Sequence, residues 1–402
     1  MSATPAAGGQ SPASTSSTGA WPALVFTVIV AIAAAYAFSP RPAPPFAATE
    51  VHPDGLLVDG LARNGDRLIA VGEQGLILLA DDIKGPWRVA QVDPQRGSTL
   101  TKVKFIDDQL AIAIGHDGWI LRSTDRGETW KEAFFIATPK EDGEDEAMSS
   151  ADGAIAPPPD AGMSAEPPAD ASMSAEPPAD DTGMGFDPFG GDSGPAPLQP
   201  DPLLGIAGPF NGRLFAFGGF GLMLVSEDQG QSWTRVTDDV LGDHHLNAMA
   251  RAADGALIIV GERGLMARST DNGDHWQIVP PVYDGSFFGV LALKSKALLA
   301  FGMRGHVFRS DDDGKIWTES KVPTGSSLFG GNVGADGDVV LVGAGSTLLV
   351  SNDDGRSFTQ PVDTDFHDLT TVLPVTAGSW LVGGDGGLKL VTSAANHKGA
   401  QP

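Results

Sequence analysis

The chain has no cysteine, only two tyrosines and few basic residues. The absence of cysteine excludes disulfides, thiolate zinc sites and cysteine nucleophiles. The 26 Lys and Arg residues face 51 Asp and Glu residues, which gives a formal net charge of −25. Because binding of nucleic-acid phosphates requires clustered cations that displace counterions, this balance excludes nucleic acid as a partner. Apolar residues make up 41% of the chain, which is enough for a large folded core.

The N-terminal 50 residues differ in composition from the rest of the chain. Residues 1–20 carry no charged side chain and are rich in Ser, Ala, Thr and Gly, which predicts a disordered tail. Residues 21–38 are 18 consecutive uncharged and mostly apolar positions. This length is about the minimum for a transmembrane helix, so the segment predicts a single membrane anchor. Residues 39–50 begin with SPRPAPP, which is typical of an extended, Pro-rich spacer.

A cleavable signal peptide is the alternative for residues 21–38. Ala35, Tyr36 and Ala37 offer a small-x-small cleavage site, but residues 1–20 lack the basic side chains of a signal-peptide n-region. The first basic residue is Arg41, so there are too few Lys and Arg residues near the segment for the positive-inside rule to predict its orientation. The N-terminal position of the segment favours a single-pass protein of the cytoplasmic membrane whose large C-terminal part lies on the periplasmic side.

Beyond residue 50 the chain repeats a pair of glycines, G-x-x-G, each time after an apolar run such as LIAV or LIIV. These runs predict buried strands, and the glycines predict hairpins that follow them. The seven pairs are Gly72/Gly75, Gly115/Gly118, Gly218/Gly221, Gly261/Gly264, Gly302/Gly305, the degenerate Gly343/Ser346, and Gly383/Gly386.

A second motif, the Asp box S-x-D-x-G-x-x-W, begins five residues after the second glycine position in five of the repeats. Its Ser and Asp side chains are expected to accept hydrogen bonds from turn amides, and its Gly to take a positive φ. The Trp is expected to fold back between sheets. The box residues with this structural role are Asp125, Asp228, Asp271, Asp312, Asp353, Trp130, Trp233, Trp276 and Trp317, with Phe358 in place of the fifth Trp.

Seven units of about 41 residues, each with about four short strands, predict an all-β fold, a seven-bladed β-propeller over residues 51–396. The seventh unit has no Asp box and no outer strand, so residues 48–53 are expected to complete the last blade. An insert at residues 135–200 separates the second and third units. It has one basic residue against 14 acidic ones and is rich in Pro and Ala, which predicts a disordered acidic loop.

The stretch LTKVKFIDDQLAIAIGHDGWILRSTDRGETW at residues 100–130 resembles the repeat of the photosystem II stability/assembly factor family, the Ycf48/Hcf136-like propellers. The resemblance covers roughly residues 51–393 apart from the insert. It implies a non-catalytic propeller, which assists the assembly or stability of a membrane protein complex from the non-cytoplasmic side. The predicted anchor and the acidic insert depart from the family pattern.

Asp boxes also occur in sialidases, so a sialidase-like glycoside hydrolase is the alternative function. Such an enzyme requires an Arg cluster, a Tyr nucleophile paired with Glu, and an acidic Asp. In this chain Tyr283 and Glu262 would supply the pair, with Arg251, Arg263 and Arg304 as the cluster.

Two features invite a metal site, but neither has the required pattern. SDDDGK at 310–315 and SNDDGR at 351–356 resemble calcium loops but lack the D-x-D-x-D-G order and the later Glu. Adjacent His244 and His245 would point to opposite faces of a strand, so they are not expected to bind a metal with His116 or His367. We predict no metal and no cofactor.

In a propeller the G-x-x-G hairpins share one end with the connections between blades, and the Asp-box turns lie at the other end. The residues between the glycines differ from repeat to repeat, as expected of a fixed scaffold that displays variable side chains. Aromatic, Met and Arg side chains suit a protein-binding patch. The predicted partner-binding face consists of Arg263, Arg304, Glu262, Met303, Phe220, His116, Asp117 and Tyr283, and its predicted partner is a subunit of a membrane complex.

Overall fold

The computed structural model describes residues 25–30, 51–136, 201–361 and 368–393. The chain divides into two units, Met1–Thr49 and Glu50–Pro402. In the first unit residues 25–30 are helical, with exposed side chains such as Phe26. None of the described helices is both long and apolar enough to cross a membrane. The predicted tail and spacer, most of the predicted anchor and most of the acidic insert lie outside the described residues.

The second unit consists of antiparallel sheets that follow one another along the chain, and each of them forms one blade. The β-branched and leucine-rich runs before the glycine pairs form the second strand of each sheet, which is buried throughout. The strands of the first three sheets are β1 Val58–Asn64, β2 Arg67–Gly72, β3 Ile77–Ala80 and β4 Arg88–Val89; β5 Gln91–Asp93, β6 Leu100–Phe105, β7 Ala111–Gly115, β8 Ile120–Ser123 and β9 Thr129–Phe134; β10 Leu203–Phe210, β11 Arg213–Gly218, β12 Met223–Ser226 and β13 Thr234–Val236.

The remaining four sheets repeat the same order from the innermost strand outwards. Their strands are β14 Leu246–Arg251, β15 Leu257–Gly261, β16 Met266–Ser269 and β17 Gln277–Ile278; β18 Phe287–Ala292, β19 Leu298–Gly302, β20 Val307–Ser310 and β21 Thr318–Glu319; β22 Leu328–Val333, β23 Val339–Gly343 and β24 Thr347–Ser351; β25 Leu369–Thr376, β26 Ser379–Gly384 and β27 Gly387–Thr392. The all-β, seven-bladed propeller predicted from the repeats is confirmed. In the second blade β5 adds a parallel fifth strand beside β9, which the repeats did not indicate.

The hydrophobic core is divided into seven clusters, and each cluster lies between two neighbouring blades. Between the first two blades, for example, Ile69 and Leu79 pack against Leu121 and Trp130. The cluster between the seventh and first blades includes Leu381. A blade therefore buries both of its faces only when its two neighbours are present, which requires a closed ring.

The ring closes differently from the sequence prediction. Within the described residues the seventh sheet contains β25, β26 and β27, and no N-terminal strand is paired with it. Val51 instead bridges to Trp87 at the outer edge of the first blade. The Pro53 carbonyl packs against Gly387. In other repeats the equivalent glycine packs against a carbonyl of the connection that leads to the next blade. The expectation that residues 48–53 complete the last blade is therefore wrong for its described part, residues 51–53, because this segment replaces a blade connection.

The glycine pair of the last repeat is also displaced by one residue. Gly384 pairs with Leu369, as Gly72 pairs with Val58 in the first blade, so Gly384 and Gly387 are the structural pair. Gly383 pairs with Thr371 and occupies a strand position. The sequence GGDGG contains two possible G-x-x-G pairs, Gly383/Gly386 and Gly384/Gly387, and only the strand pairing shows which of them forms the hairpin.

Candidate docking face

The G-x-x-G hairpins and the connections between blades lie at the same end of the propeller, as predicted. The amide of Gly221 donates to the carbonyl of His244 at 2.9 Å, and the amide of Gly345 donates to the Asp368 carboxylate at 2.9 Å. Each of these bonds joins a hairpin to the connection that leads into the next blade. We call this end the tip face.

The first glycine of each pair is required by close packing. A Cβ added at Gly218 would collide with the carbonyl of Pro202, the residue before the inner strand of the same blade. The equivalent glycines of the other six blades face the equivalent carbonyl in the same way. A side chain at this position would push the inner strand away from its neighbour, which explains why the glycine recurs in every repeat.

The residue before the second glycine position has a left-handed backbone in most tips. Gln74, Asp117, Phe220, Arg263 and Arg304 have φ between 49 and 58°, a conformation that is uncommon for residues with a Cβ. This backbone directs the Phe220, Arg263 and Arg304 side chains into solvent, and Phe220 is 59% exposed. Three side chains that suit protein contacts are thus held outwards on consecutive blades.

The eight residues predicted for the partner-binding face divide into two groups. Phe220, Arg263, Arg304 and His116 are exposed at the tips. The other four are partly buried and bonded to the scaffold. Asp117 accepts the Ser98 hydroxyl, Glu262 accepts the His245 amide, and the Tyr283 hydroxyl donates to the Met303 carbonyl at 3.4 Å.

Tyr283 is further fixed by aromatic packing. Its ring centroid lies 4.2 Å from that of His306 and 5.9 Å from that of Phe287. Phe220, in contrast, contacts only the edge of His245 among the described aromatic rings, with centroids 4.9 Å apart. Phe220 is therefore more available to a partner than Tyr283.

The sequence did not reveal a ring of side chains at the mouth of the central channel. Each inner strand has a β-bulge near its first residue, for example between Val58 and Gly60 and between Phe287 and Gly289. A bulge redirects the side chain of the extra residue. The seven bulged residues, here called the mouth ring, line one cavity of about 390 Å³ and are Asp59, Thr101, Leu204, Asn247, Phe288, Phe329 and Thr370.

Polar members of the mouth ring join neighbouring blades. The hydroxyl of Thr101 donates to the carbonyl of Leu203 at 2.7 Å, and the side-chain amide of Asn247 donates to the carbonyl of Phe287 at 2.7 Å. The hydroxyl of Thr370 donates to the carbonyl of Val58 across the closure of the ring. A signal for the ring exists in the sequence, because its members stand 14 positions before the first structural glycine in six blades and 13 in the first.

The Asp boxes form the opposite end of the propeller and are internally satisfied. In the second blade the Ser123 hydroxyl oxygen accepts the Gly127 amide at 2.9 Å, and Asp125 accepts the amide of Thr129 at 3.0 Å and its hydroxyl at 2.6 Å. The Trp130 indole donates to the Gly127 carbonyl and is 1% exposed. The other four boxes, with Asp228, Asp271, Asp312 and Asp353, repeat the bonds from the Gly amide to Ser and from turn amides to Asp.

These hydrogen bonds favour the charged carboxylates. The Ser232 hydroxyl and amide lower the pKa of Asp228 from 3.8 to about 2. The His275 amide, the Ser269 hydroxyl and the His275 ring lower the pKa of Asp271 still further. Trp276, Trp317 and Phe358 are buried like Trp130, although the indole nitrogens of Trp233 and Trp276 have no protein partner among the described residues.

The residues proposed for a glycosidase site are not all brought together. Arg251 ends β14 at the Asp-box end, whereas Glu262 and Arg263 lie at the tip end of the same blade. The Arg251 guanidinium donates to the Gly255 carbonyl in its own hairpin. Tyr283 is held by Met303 and His306 as described above. Within the part of the chain that the structure describes, no group of three or more His, Asp or Glu residues is placed to hold a metal ion.

Comparison with known proteins supports the fold. No protein-family model and no curated protein matches the sequence. Among solved structures, Ycf48 bound to a D1 peptide is similar with a TM-score of 0.56 and 14% identity over 88% of this chain and 100% of that chain. Ycf48 from Cyanidioschyzon merolae is similar with a TM-score of 0.55 and 16% identity over 86% of this chain and 98% of that chain.

A propeller enzyme is similar as well. The streptogramin B lyase structure matches with a TM-score of 0.59 and 12% identity, over 85% of this chain and 95% of that chain. At these identities the likenesses establish the architecture only, because one fold supports many functions. The similarity to Ycf48 propellers that the repeats predicted is found again in three dimensions, and this chain shares their fold.

Proposed function

We propose that this protein is a membrane-anchored, non-catalytic propeller that binds a subunit of a membrane protein complex through its tip face and assists the assembly or stability of that complex. The observation that carries the proposal is the outward display of Phe220, Arg263 and Arg304 on left-handed tips. An exposed aromatic ring and two exposed Arg side chains on consecutive tips have the composition of a protein-binding hot spot. The solved Ycf48 structure with a bound D1 peptide supports peptide binding by a propeller of this shape.

The charge of the chain makes the two arginines distinctive. Acidic residues outnumber basic ones by 51 to 26, so basic side chains are a minority among the charged residues of this chain. Arg263 and Arg304 occupy equivalent tips of the fourth and fifth blades and are exposed. We infer that they contact an acidic or carbonyl-rich segment of the partner, while Phe220 on the third blade enters an apolar pocket.

Membrane attachment through residues 21–38 and a periplasmic position of the propeller are part of this proposal. The support is the run of 18 uncharged, mostly apolar residues near the N-terminus. Carbonate washing of membranes tests the attachment: the full chain is expected to stay with the membrane, and a variant without residues 21–38 to be released. Protease treatment of spheroplasts tests the orientation, since a periplasmic propeller is digested without lysis.

The docking experiment uses two double charge reversals with equal changes in net charge. Arg263→Glu with Arg304→Glu alters the tip face, and Lys296→Glu with Lys315→Glu alters exposed residues in the hairpin and the Asp box at the opposite end. Each tagged full chain is expressed in the native host, crosslinked in membranes and purified, and copurifying proteins are quantified by mass spectrometry. The tip variant is expected to lose the partner, because like-charge contacts penalise the complex, whereas the control variant retains it.

Two outcomes would overturn the proposal. Equal capture of the same proteins by both double variants would show that the tip face is not the docking surface. Hydrolysis of a sialoside by the purified chain, abolished by Tyr283→Phe, would support the sialidase-like alternative instead. Melting temperatures of both double variants serve as the folding control, since exposed charges contribute little to stability.

A further inference from the structure

The central channel holds two lysines that the docking function does not use. Below the mouth ring the channel contains a second cavity, of about 260 Å³, that is lined by all seven inner strands. Lys102 and Lys104 of β6 are the charged residues among those that line it. In a chain with a net charge of −25, a cationic cavity is unexpected from composition alone.

The two lysines differ in whether a nearby acidic group offsets their positive charge. The Lys102 ammonium donates to the Asp59 backbone carbonyl at 3.4 Å, and burial lowers the pKa of Lys102 while the nearby Asp59 carboxylate opposes that change. The side chain of Lys104 is half-buried and makes no hydrogen bond or ion pair with any described residue, and desolvation lowers its pKa with no acidic group to oppose the change. Since charges withdrawn from solvent are normally paired, Lys104 is a cation of the cavity that lacks a counterion among the described residues.

The sequence places this charge on one blade only. The Lys102 position is occupied on the other inner strands by Gly60, Gly205, Ala248, Gly289, Gly330 and Thr371. At the Lys104 level the fifth and sixth blades carry Leu291 and Asn332. The side-chain amide of Asn332 already donates a hydrogen bond to the Val372 carbonyl at 3.2 Å. Lys104 is therefore the polar group left to bind a ligand at the deep end of the cavity.

The mouth side of the cavity is aromatic. Phe288 and Phe329 of the mouth ring lie with centroids 5.6 Å apart, and both line the cavity as well as the mouth. Lys104 stands three residues further along its inner strand than the ring member Thr101, which is about 10 Å at the rise of an extended strand. An anion that reaches Lys104 through the mouth therefore places its other end beside the two phenyl rings.

We propose that the central channel binds a small organic monocarboxylate, with the carboxylate at Lys104 and the apolar part against Phe288 and Phe329. A single negative charge matches the single uncompensated cation, and the apolar part matches the aromatic mouth. Inorganic phosphate lacks an apolar part, and a dicarboxylate brings more charge than the cavity neutralises. A few polar groups typically orient the ligand in a small-molecule pocket, and the Lys104 ammonium would serve as such a group here. This site is separate from partner capture at the tips.

Isothermal titration calorimetry on the full chain in a neutral detergent at about pH 7 tests the proposal. The probes are 3-phenylpropanoate, its neutral amide 3-phenylpropanamide, and inorganic phosphate. The acid is expected to bind, and the amide to bind at least roughly tenfold more weakly because it loses the charge-assisted hydrogen bond. Phosphate is expected to bind more weakly than the acid, because it gains nothing from the aromatic mouth.

Matched variants locate the site. Lys104→Met keeps the unbranched shape without the charge and is expected to weaken binding of the acid at least roughly tenfold. Lys296→Met removes an exposed lysine from the opposite end of the propeller and is expected to leave binding unchanged. If Lys104→Met lowers the melting temperature strongly, Lys104→Gln serves as the uncharged variant. Absence of binding by the acid, equal affinity for acid and amide, or unchanged affinity in the folded Lys104 variant would each overturn the proposal.

Discussion

The two ends of the propeller use similar glycine-containing turns for opposite purposes. At the Asp-box end the side chains of the turn bond to the turn itself, as Asp125 does with Thr129, and the same residues recur in five blades. At the tip face the glycines recur but the side chains between them differ, and Phe220, Arg263 and Arg304 project into solvent. Side chains that recur and are hydrogen-bonded within their own turn indicate a stabilising role. Side chains that differ between blades and are exposed indicate a surface for recognition.

Replacing one aromatic residue at each end by Ala is expected to give the largest difference in the free energy of unfolding. Trp130→Ala removes a side chain that is 1% exposed, packs between two blades and donates to the Gly127 carbonyl. It is expected to reduce the free energy of unfolding by about 3–5 kcal/mol. Phe220→Ala removes a ring that is 59% exposed and is expected to change it by less than about 0.5 kcal/mol. Chemical denaturation of both variants measures the difference, and equal losses would erase the proposed division between the ends.

Acid should weaken the Asp-box end. Hydrogen bonds from Ser232 hold the pKa of folded Asp228 at about 2, below the ordinary 3.8, and the other box carboxylates shift in the same direction. Because the folded pKa is the lower one, this stabilisation is complete above about pH 4 and is lost as the pH falls through about 2. The melting temperature of the wild type is therefore expected to drop between about pH 4 and pH 2.

Asp228→Asn provides the control for this titration. The amide cannot ionise, so the variant is expected to melt below the wild type at about pH 6 and to lose less of its melting temperature on acidification. Asp239→Asn, the same change at an exposed carboxylate outside the box, is expected to leave the neutral-pH melting temperature nearly unchanged. A parallel drop for Asp228→Asn and the wild type would assign acid sensitivity to groups other than this box.

The left-handed tips are expected to give only a small net effect on stability. Arg304 has a φ of 55°, so Arg304→Gly relieves a left-handed conformation at the cost of a more flexible unfolded chain. The two effects oppose each other, and the free energy of unfolding is expected to stay within about 1 kcal/mol of the wild type. Partner capture in the crosslinking experiment is expected to fall. Unchanged capture together with unchanged stability would remove Arg304 from the docking face.

Part of the candidate site could be predicted because its position follows from local pattern. Phe220, Arg263 and Arg304 stand between recurring glycines, so their place at a hairpin tip needed no knowledge of distant residues. The attachment of Glu262 to the His245 amide and the packing of Tyr283 against His306 depend on the blade connections, whose path the repeat does not encode. The mouth ring was missed for a related reason, since a bulge is defined only by the pairing of two strands.

The sequence by itself determined the seven units, the Asp-box turns and the end at which each variable pair lies. The reason is that the deciding contacts are local: Ser123, Asp125 and Thr129 bond to one another within a few residues. Only the tertiary structure decided how Val51 meets Trp87, which glycines of GGDGG turn the last hairpin, and that Arg251 lies far from Arg263 along its blade. It alone placed Lys104 inside the channel, where no described residue supplies a counterion. These features arise from contacts between residues distant in sequence, which become fixed when the ring closes and each blade acquires both of its neighbours.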